Sequence, residues 1–284
     1  MDKKHLIIYN GEKIDASKPV ITTENRAFRY GDGLFETIRV VDGSVHLIDI
    51  HYKRLMAGCE NLKFKVAKEY TEKYFNDLII DLCSEKKISD NARVRLSFFR
   101  TEGGYYAPTS NKAEFIIEAE DMKVKGYPLK PEGLKVDLYT ALEKPTNLFS
   151  TYKTSNSLMY VLASIYKKEH GLDDCFLMNS KSRIVETIDS NIFIVKNGEI
   201  STPPTTEGCI GGVMREYIIS VMENNGIRYT KTPISIEDLF TADEIFVTNA
   251  IIGVQFVKSY KTKEYQLGVA KILSDHINKE LIKK

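Results

Sequence analysis

The chain lacks a C-x-x-C pair, a long apolar run and an excess of charge of either sign. Its 284 residues carry 40 Lys+Arg against 39 Asp+Glu, a net charge of +1. There is no basic stripe for nucleic acid and no acidic tail of the kind that solvates a disordered segment. The four cysteines, Cys59, Cys83, Cys175 and Cys209, are far apart, which argues against a zinc or other metal site and for a reducing, cytoplasmic setting. No segment reaches the length of a membrane span. The opening "MDKKHLIIYNGEK" is basic, but its apolar run stops at three residues, too short for a signal peptide. G-x-G-x-x-G and P-loop patterns are missing, as are internal repeats and low-complexity tracts.

What is present reads as an α/β (α+β) chain. "LIIYNGEKI", "IRVVDGSVHL" and "IFIVKNGEI" each place Asn-Gly or Asp-Gly between β-branched runs, which predicts tight antiparallel hairpins. Apolar periodicity predicts helices over 47–62, 67–86, about 155–169, 213–224 and 264–282. Strands are expected at "ARVRLSFFR", "AEFIIEAE", "LKVDLYT", "DCFLMN", "NIFIVK" and "EIFVTNA". The stretch 121–135 is rich in Lys, Pro and Gly and reads as a linker between a smaller domain, 1–120, and a larger one, 136–284.

Several residues sit where a plain fold would not put them. Gly208, Gly211 and Gly212 crowd the start of a helix whose apolar positions are Val213, Tyr217, Val221 and Met222, with Gly226 as its C-terminal cap. Free amides at such a start favour an anion. In "LIDIHYKRLMAGCENL", Arg54 and His51 fall inside the stripe formed by Leu47, Ile50, Leu55, Gly58 and Leu62. Taken alone, Arg54 reads rather as a stripe-edge arginine that is paired with a carboxylate or reaches out to solvent. Lys153 precedes a helix with the apolar face Leu158, Val161, Leu162 and Ile165; by itself it is a surface charge. To act as a nucleophile it must lose its proton near neutral pH, which takes about 4 to 5 kcal/mol from its surroundings. Glu186 in "VETIDSNIFIVKNG" is otherwise a strand-end carboxylate. Thr248-Asn249-Ala250 and Gly253 follow a strand and make either a second set of amide donors or an ordinary loop.

In order, these segments resemble the class IV aminotransferases, the fold-type IV enzymes that use pyridoxal 5′-phosphate (PLP). The resemblance runs from about residue 5 to residue 260, through "FRYGDGLFETIRV", "HYKRL", "YKTSNSLMYVLA", "VETIDSNIFIVKNGEISTPP", "GCIGGVMR" and "TNAIIGVQFV". It implies two domains with the cofactor between them. It makes Lys153 the Schiff-base lysine and Glu186 the partner of the pyridine nitrogen. The phosphate would lie on the backbone of Gly212, Val213 and Met214, with Arg54 supplying charge and Asn249 and Ala250 completing the cup. Many relatives have Thr where this chain has Met214, so a hydroxyl contact is missing there. Tyr30, Arg95 and Arg100 would face a small amino substrate, the arginines being candidates for its carboxylate; a structural ion pair is the other reading for each.

Within the family, "GCIGGVMR", "KTSN" and "TNA" look more like 4-amino-4-deoxychorismate lyase, which releases pyruvate and 4-aminobenzoate for folate biosynthesis. Branched-chain aminotransferases usually carry tyrosine five residues after the lysine, where this chain has Leu158, and read F-E-G-I-R where it has "FETIR". The motifs therefore favour the lyase. The alternative is a branched-chain or D-amino-acid aminotransferase with 2-oxoglutarate as acceptor, for which Glu36 and Thr37 become substrate-pocket residues. A homodimer is implied, with "RTEGGYYAPTSN" (100–111) as a mobile loop roofing the neighbouring subunit's site.

Overall fold

The computed structural model describes residues 5–88 and 91–282, so the first four residues of the basic start noted above lie outside it. The chain forms two units, Met1–Gly126 with Tyr152–Asn156, and Tyr127–Thr151 with Ser157–Lys284. The change of unit at Gly126 falls within the Lys-, Pro- and Gly-rich stretch. The return of Tyr152–Asn156 to the first unit has no counterpart in a division with one boundary.

The first unit contains β1 (Leu6–Tyr9), β2 (Glu12–Asp15), α1 (Arg26–Tyr30), β3 (Gly33–Val41), β4 (Ser44–Val45), α2 (Ile48–Asn61), α3 (Glu72–Glu85), β5 (Ala92–Arg100) and β6 (Ala113–Asp121). Its antiparallel sheet has the order β2-β1-β6-β5-β3-β4. Two of the expected hairpins close it, at Asn10-Gly11 and Asp42-Gly43, and all four residues have positive φ as a type I′ turn demands. Side chains alternate along β3 and β5. Leu34, Ile38, Val94, Leu96 and Phe98 enter a core with Leu55, Phe75, Ile79 and Leu82 of the two long helices, while Phe35, Thr37, Arg95 and Ser97 are only half-buried. The expected helix over 47–62 begins one residue later because Leu47 is left-handed (φ 54°). The one expected over 67–86 begins at Glu72, where the Thr71 hydroxyl caps Tyr74 N–H.

The second unit contains β7 (Leu134–Leu138), α4 (Leu158–Glu169), β8 (Asp174–Met178), β9 (Ile184–Thr187), β10 (Asn191–Lys196), β11 (Glu199–Thr202), α5 (Val213–Asn224), β12 (Tyr229–Lys231), α6 (Ile236–Thr241), β13 (Glu244–Asn249), β14 (Gly253–Tyr260), β15 (Lys263–Glu264) and α7 (Val269–Ile282). Its sheet runs β12-β11-β10-β13-β14-β7-β8-β9, with β15 on β14. The pair Glu186↔Asn191 joins β9 back to β10 and closes six strands into a ring. The third hairpin, Asn197-Gly198, joins β10 to β11 as expected. α4 is turned differently from its pattern. It packs through Met159, Tyr160, Ala163 and Tyr166, and leaves Leu158, Val161, Leu162 and Ile165 exposed.

Candidate active site

In the first unit the site is built on the two faces of β3. Lys153 lies in a short strip along that strand: its carbonyl accepts from Phe35 N–H at 2.8 Å, and Ser155 N–H donates to Gly33 O at 2.9 Å. Tyr152 anchors the strip from the other side, its hydroxyl accepting from Asn61 Nδ2 at 2.8 Å. Lys153 Nζ lies over the Phe35 ring, 4.7 Å from its centre, and the Arg95 guanidinium lies 3.9 Å from the same centre. The lysine and one expected substrate arginine thus share the sheet face that the helices leave uncovered. Arg95 donates to Ser97 Oγ at 3.1 Å and forms no ion pair among the described residues.

The other face of β3 carries Glu36. Its carboxylate is buried and takes Arg54 through two nitrogens, Nε at 2.8 Å and Nη2, and His51 Nδ1 at 2.6 Å. Burial by itself would raise the Glu36 carboxyl, but the Arg54 charge and the His51 bond outweigh it and hold it at about 2. Burial lowers His51, and the charges of Arg54 and Lys153 lower it further against the pull of Glu36. His51 is therefore neutral at pH 7, with its proton on Nδ1 facing Glu36, and Nε2 has no hydrogen-bond partner. Arg54 is thus both the carboxylate-paired arginine that its helix position allows and a charge held in a fixed place. Glu36 belongs to this cluster and not to the strand face that carries Lys153 and Arg95.

The other two residues expected on the substrate side, Arg100 and Tyr30, make the following contacts within the first unit. Arg100 is 6 % exposed and its donors are spent on protein: Nε on Asp32 at 2.9 Å, Nη2 on Leu62 O at 2.8 Å and Nη1 on Asn111 Oδ1 at 2.5 Å. Of its two readings, this geometry is the structural ion pair, because a substrate would have to displace a buried, fully bonded network. Tyr30 ends α1 and packs on Tyr106, ring centres 5.5 Å apart, beneath the Arg26 guanidinium. That buried guanidinium also binds the carbonyls of Gly103 at 3.1 Å, Tyr105 at 2.5 Å and Tyr106 at 3.3 Å. The loop expected to be mobile is therefore anchored, with Tyr105 and Tyr106 presented outward.

In the second unit Glu186 is buried on β9 and bonded through both oxygens. Oε1 accepts from Lys144 Nζ at 2.6 Å and Tyr160 OH at 2.8 Å, and Oε2 accepts from Ile210 N–H at 2.7 Å. The Ile210 carbonyl accepts from Asn191 Nδ2 at 2.8 Å. Asn191 in turn crowds Gly212: a methyl group there would fall 1.8 Å from Asn191 Oδ1. Gly212 is the N-cap of α5 and has no side-chain cap, so the amides that open the helix are left for another acceptor. Val213 and Met214 turn their side chains into the core. Asn191 also pairs with Thr248, which brings the turn after β13 to the same place. There Asn249 accepts from Ile251 and Ile252 N–H, both at 2.9 Å, and donates to Ser190 Oγ at 3.0 Å. Ala250 O accepts from Tyr127 OH at 3.2 Å. Lys144 lies outside every quoted segment, and Tyr160 and Asn191 lie inside two of them without being singled out. The one local signal is an asparagine opening the strand after Glu186.

An uncapped helix start opened by glycine, tied through one peptide to a buried carboxylate, fits a group with an anion at one end and a basic nitrogen at the other. The amino-transferase class IV family matches residues 33–260. The chain belongs to that family. It is a PLP-dependent enzyme of the fold-type IV aminotransferase and lyase group. Among curated proteins it is similar to a putative branched-chain-amino-acid aminotransferase of Methanocaldococcus jannaschii, 30% identical over 85% of this chain and 83% of the relative. It is also similar to the aminodeoxychorismate lyase of Bacillus subtilis, 28% identical over 88% and 84%. The branched-chain aminotransferase of Thermoproteus uzoniensis has the same fold, with a TM-score of 0.89, 21% identity and coverage of 98% of this chain and 95% of that one. Among the described residues of this class IV protein no helix is long and apolar enough to cross a membrane.

Proposed function

We propose that this enzyme is an amino-acid aminotransferase acting on branched-chain substrates, with 2-oxoglutarate as acceptor. The observation that carries a carboxylate-bearing amino substrate is the Lys153–Phe35–Arg95 arrangement: a half-buried guanidinium, with no ion-pair partner among the described residues, that shares the Phe35 ring with the lysine. The choice of aminotransferase rests on the 30%-identical relative. Lys153 binds the cofactor and carries the proton of the substrate's α-carbon. Glu186 holds the proton on the ring nitrogen. The amides of Gly212, Val213 and Met214 hold the phosphate with Arg54, and the Asn249–Ala250 turn borders it. Bound there, PLP supplies the electron sink that the amino-acid chemistry needs.

The lyase reading keeps one observation in its favour. The residue five after Lys153 is Leu158, 70% exposed at the start of α4, so no tyrosine hydroxyl is supplied from that position. Purified enzyme separates the two. With L-leucine, L-valine or L-isoleucine and 2-oxoglutarate, glutamate and the matching oxo acid should accumulate. Formation instead of pyruvate and 4-aminobenzoate in equal amounts from aminodeoxychorismate, without an acceptor and with no glutamate from the amino acids, overturns the aminotransferase assignment.

The same reading includes a homodimer in the cytoplasm. Its support is the exposed row Leu158, Val161, Leu162 and Ile165; covering each by a second copy gains a part, about a third to two thirds, of the roughly 1.5–3 kcal/mol that full burial gives. The anchored loop 100–111 is the segment we assign to the neighbouring site. All four cysteines are buried free thiols, as suits a reducing compartment.

A further inference from the structure

Lys144 is a lysine that nothing in the sequence singles out, yet it is 6% exposed and its ammonium is saturated. Nζ donates to Glu186 Oε1 at 2.6 Å, Gly208 O at 2.9 Å and Ser150 O at 3.4 Å. Three donors meet three acceptors, so the hydrogen-bonding capacity of the buried ammonium is filled. Its main chain is fixed as well, Lys144 N–H donating to Met178 O at 2.8 Å. Tyr160 reaches the same oxygen from α4. Burial, reinforced by Glu186, pushes the phenol far above its ordinary value, so it keeps its proton and donates.

The two oxygens of Glu186 are therefore unlike. Oε1 has two donors, one of them cationic, whereas among the described residues Oε2 has a single donor, the Ile210 amide. A carboxylate oxygen accepts two hydrogen bonds readily. We propose that Lys144 and Tyr160 are positioning residues that lock Glu186 through Oε1, leave Oε2 as the acceptor for the cofactor's ring nitrogen, and neutralise the carboxylate so that it serves as a hydrogen-bond acceptor within a neutral pair. This rests on the PLP reading above. Its consequence is electrostatic. With Lys144 in place, the pair attracts a proton on the ring less strongly than a lone buried carboxylate would. Removing the lysine leaves the negative charge uncompensated and raises the proton affinity of everything nearby.

Lys144→Met, Glu186→Gln and the double variant test this in two readouts. The first is the thermal midpoint of the cofactor-free protein. Each single change strands a buried partner and should lower it, and the double change, which removes both charges, should recover most of the loss. The second is the pH at which the visible absorbance of the PLP-loaded protein changes. Lys144→Met should raise that pH by about one unit, and Tyr160→Phe should move it in the same direction by less. Losses that simply add in the double variant, or an absorbance titration that Lys144→Met leaves in place, refute the clamp. Wild-type protein that takes up no PLP refutes the cofactor reading instead, whatever the stability cycle gives.

Discussion

Replacing Glu36 by Gln tests whether Arg54 is a charge held for an anion. The carboxyl sits at about 2 against an ordinary 4.5, which is worth about 3 kcal/mol of stability at neutral pH. The variant leaves Arg54, 11% exposed, without its carboxylate. For a chain of this size a loss of that order lowers the melting midpoint by roughly 6 to 12 °C. The sign with pH follows from the direction of the shift. The folded pKa is depressed, so the contribution is complete above about pH 4.5 and disappears as pH falls toward 2. The difference between wild type and variant should be flat from pH 7 to 5 and shrink below that. Released from Glu36, Arg54 should hold phosphate more tightly, so inorganic phosphate or PLP should raise the midpoint of Glu36→Gln more than that of wild type. The assay is thermal denaturation of cofactor-free protein, with and without ligand, across that pH range. A variant as stable as wild type at pH 7, or one that gains no more from phosphate, refutes the reasoning.

Lys153→Ala should lose the visible absorbance that borohydride abolishes and essentially all turnover; a variant that keeps both moves the covalent role to another lysine. Glu186→Gln should still take up PLP while turnover falls by about 10² or more, checked by initial rates at saturating substrate. Gly212→Ala should weaken PLP binding at least tenfold by equilibrium dialysis, because the methyl group collides with Asn191 at the helix start. Val161→Lys with Ile165→Lys should shift sedimentation toward a monomer if a second copy covers α4.

What was legible in the sequence was what is decided locally. The three hairpins could be placed to the residue because Asn-Gly and Asp-Gly meet a type I′ requirement within two positions. The strand Ala92–Arg100 could be read whole for a similar reason, its alternation being set by its own neighbours. Pairings across long separations were closed to this kind of reading. Arg54 could be read as pairing with a carboxylate, reaching solvent or binding an anion, and the carboxylate, Glu36, is supplied by a strand on the far side of a hairpin. Arg100 could be read as a substrate residue or as an ion pair, and the arbiter is Asp32, 68 positions away. The α4 stripe shows the limit of periodicity: a row of Leu, Val, Leu and Ile says that a face is apolar and not what covers it. Lys144 left no trace because its burial comes from Ser150, Glu186 and Gly208 converging in space.

The block "FETIR" makes sense only once the strand period is applied to it. Glu36 points to the helix side and governs Arg54, while Phe35 and Thr37 belong to the side that carries Lys153 and Arg95. One strand therefore serves two separable purposes, and changes at neighbouring positions should have unrelated effects. Thr37 is the cross-strand partner of Arg95, so a change there alters the shape and hydrogen bonding beside the proposed carboxylate site without touching the buried carboxylate. Thr37→Gly, which turns "FETIR" into the F-E-G-I-R noted above for branched-chain aminotransferases, should leave PLP binding within about twofold and change KM and relative rates among amino substrates severalfold. Glu36→Gln should do the reverse, shifting phosphate and PLP binding with little change in substrate preference. The comparison needs only PLP dissociation constants and kcat/KM for two or three amino acids in each variant. If Thr37→Gly disturbs PLP binding as much as Glu36→Gln does, the two faces of the strand are not independent and the division of labour along "FETIR" is wrong.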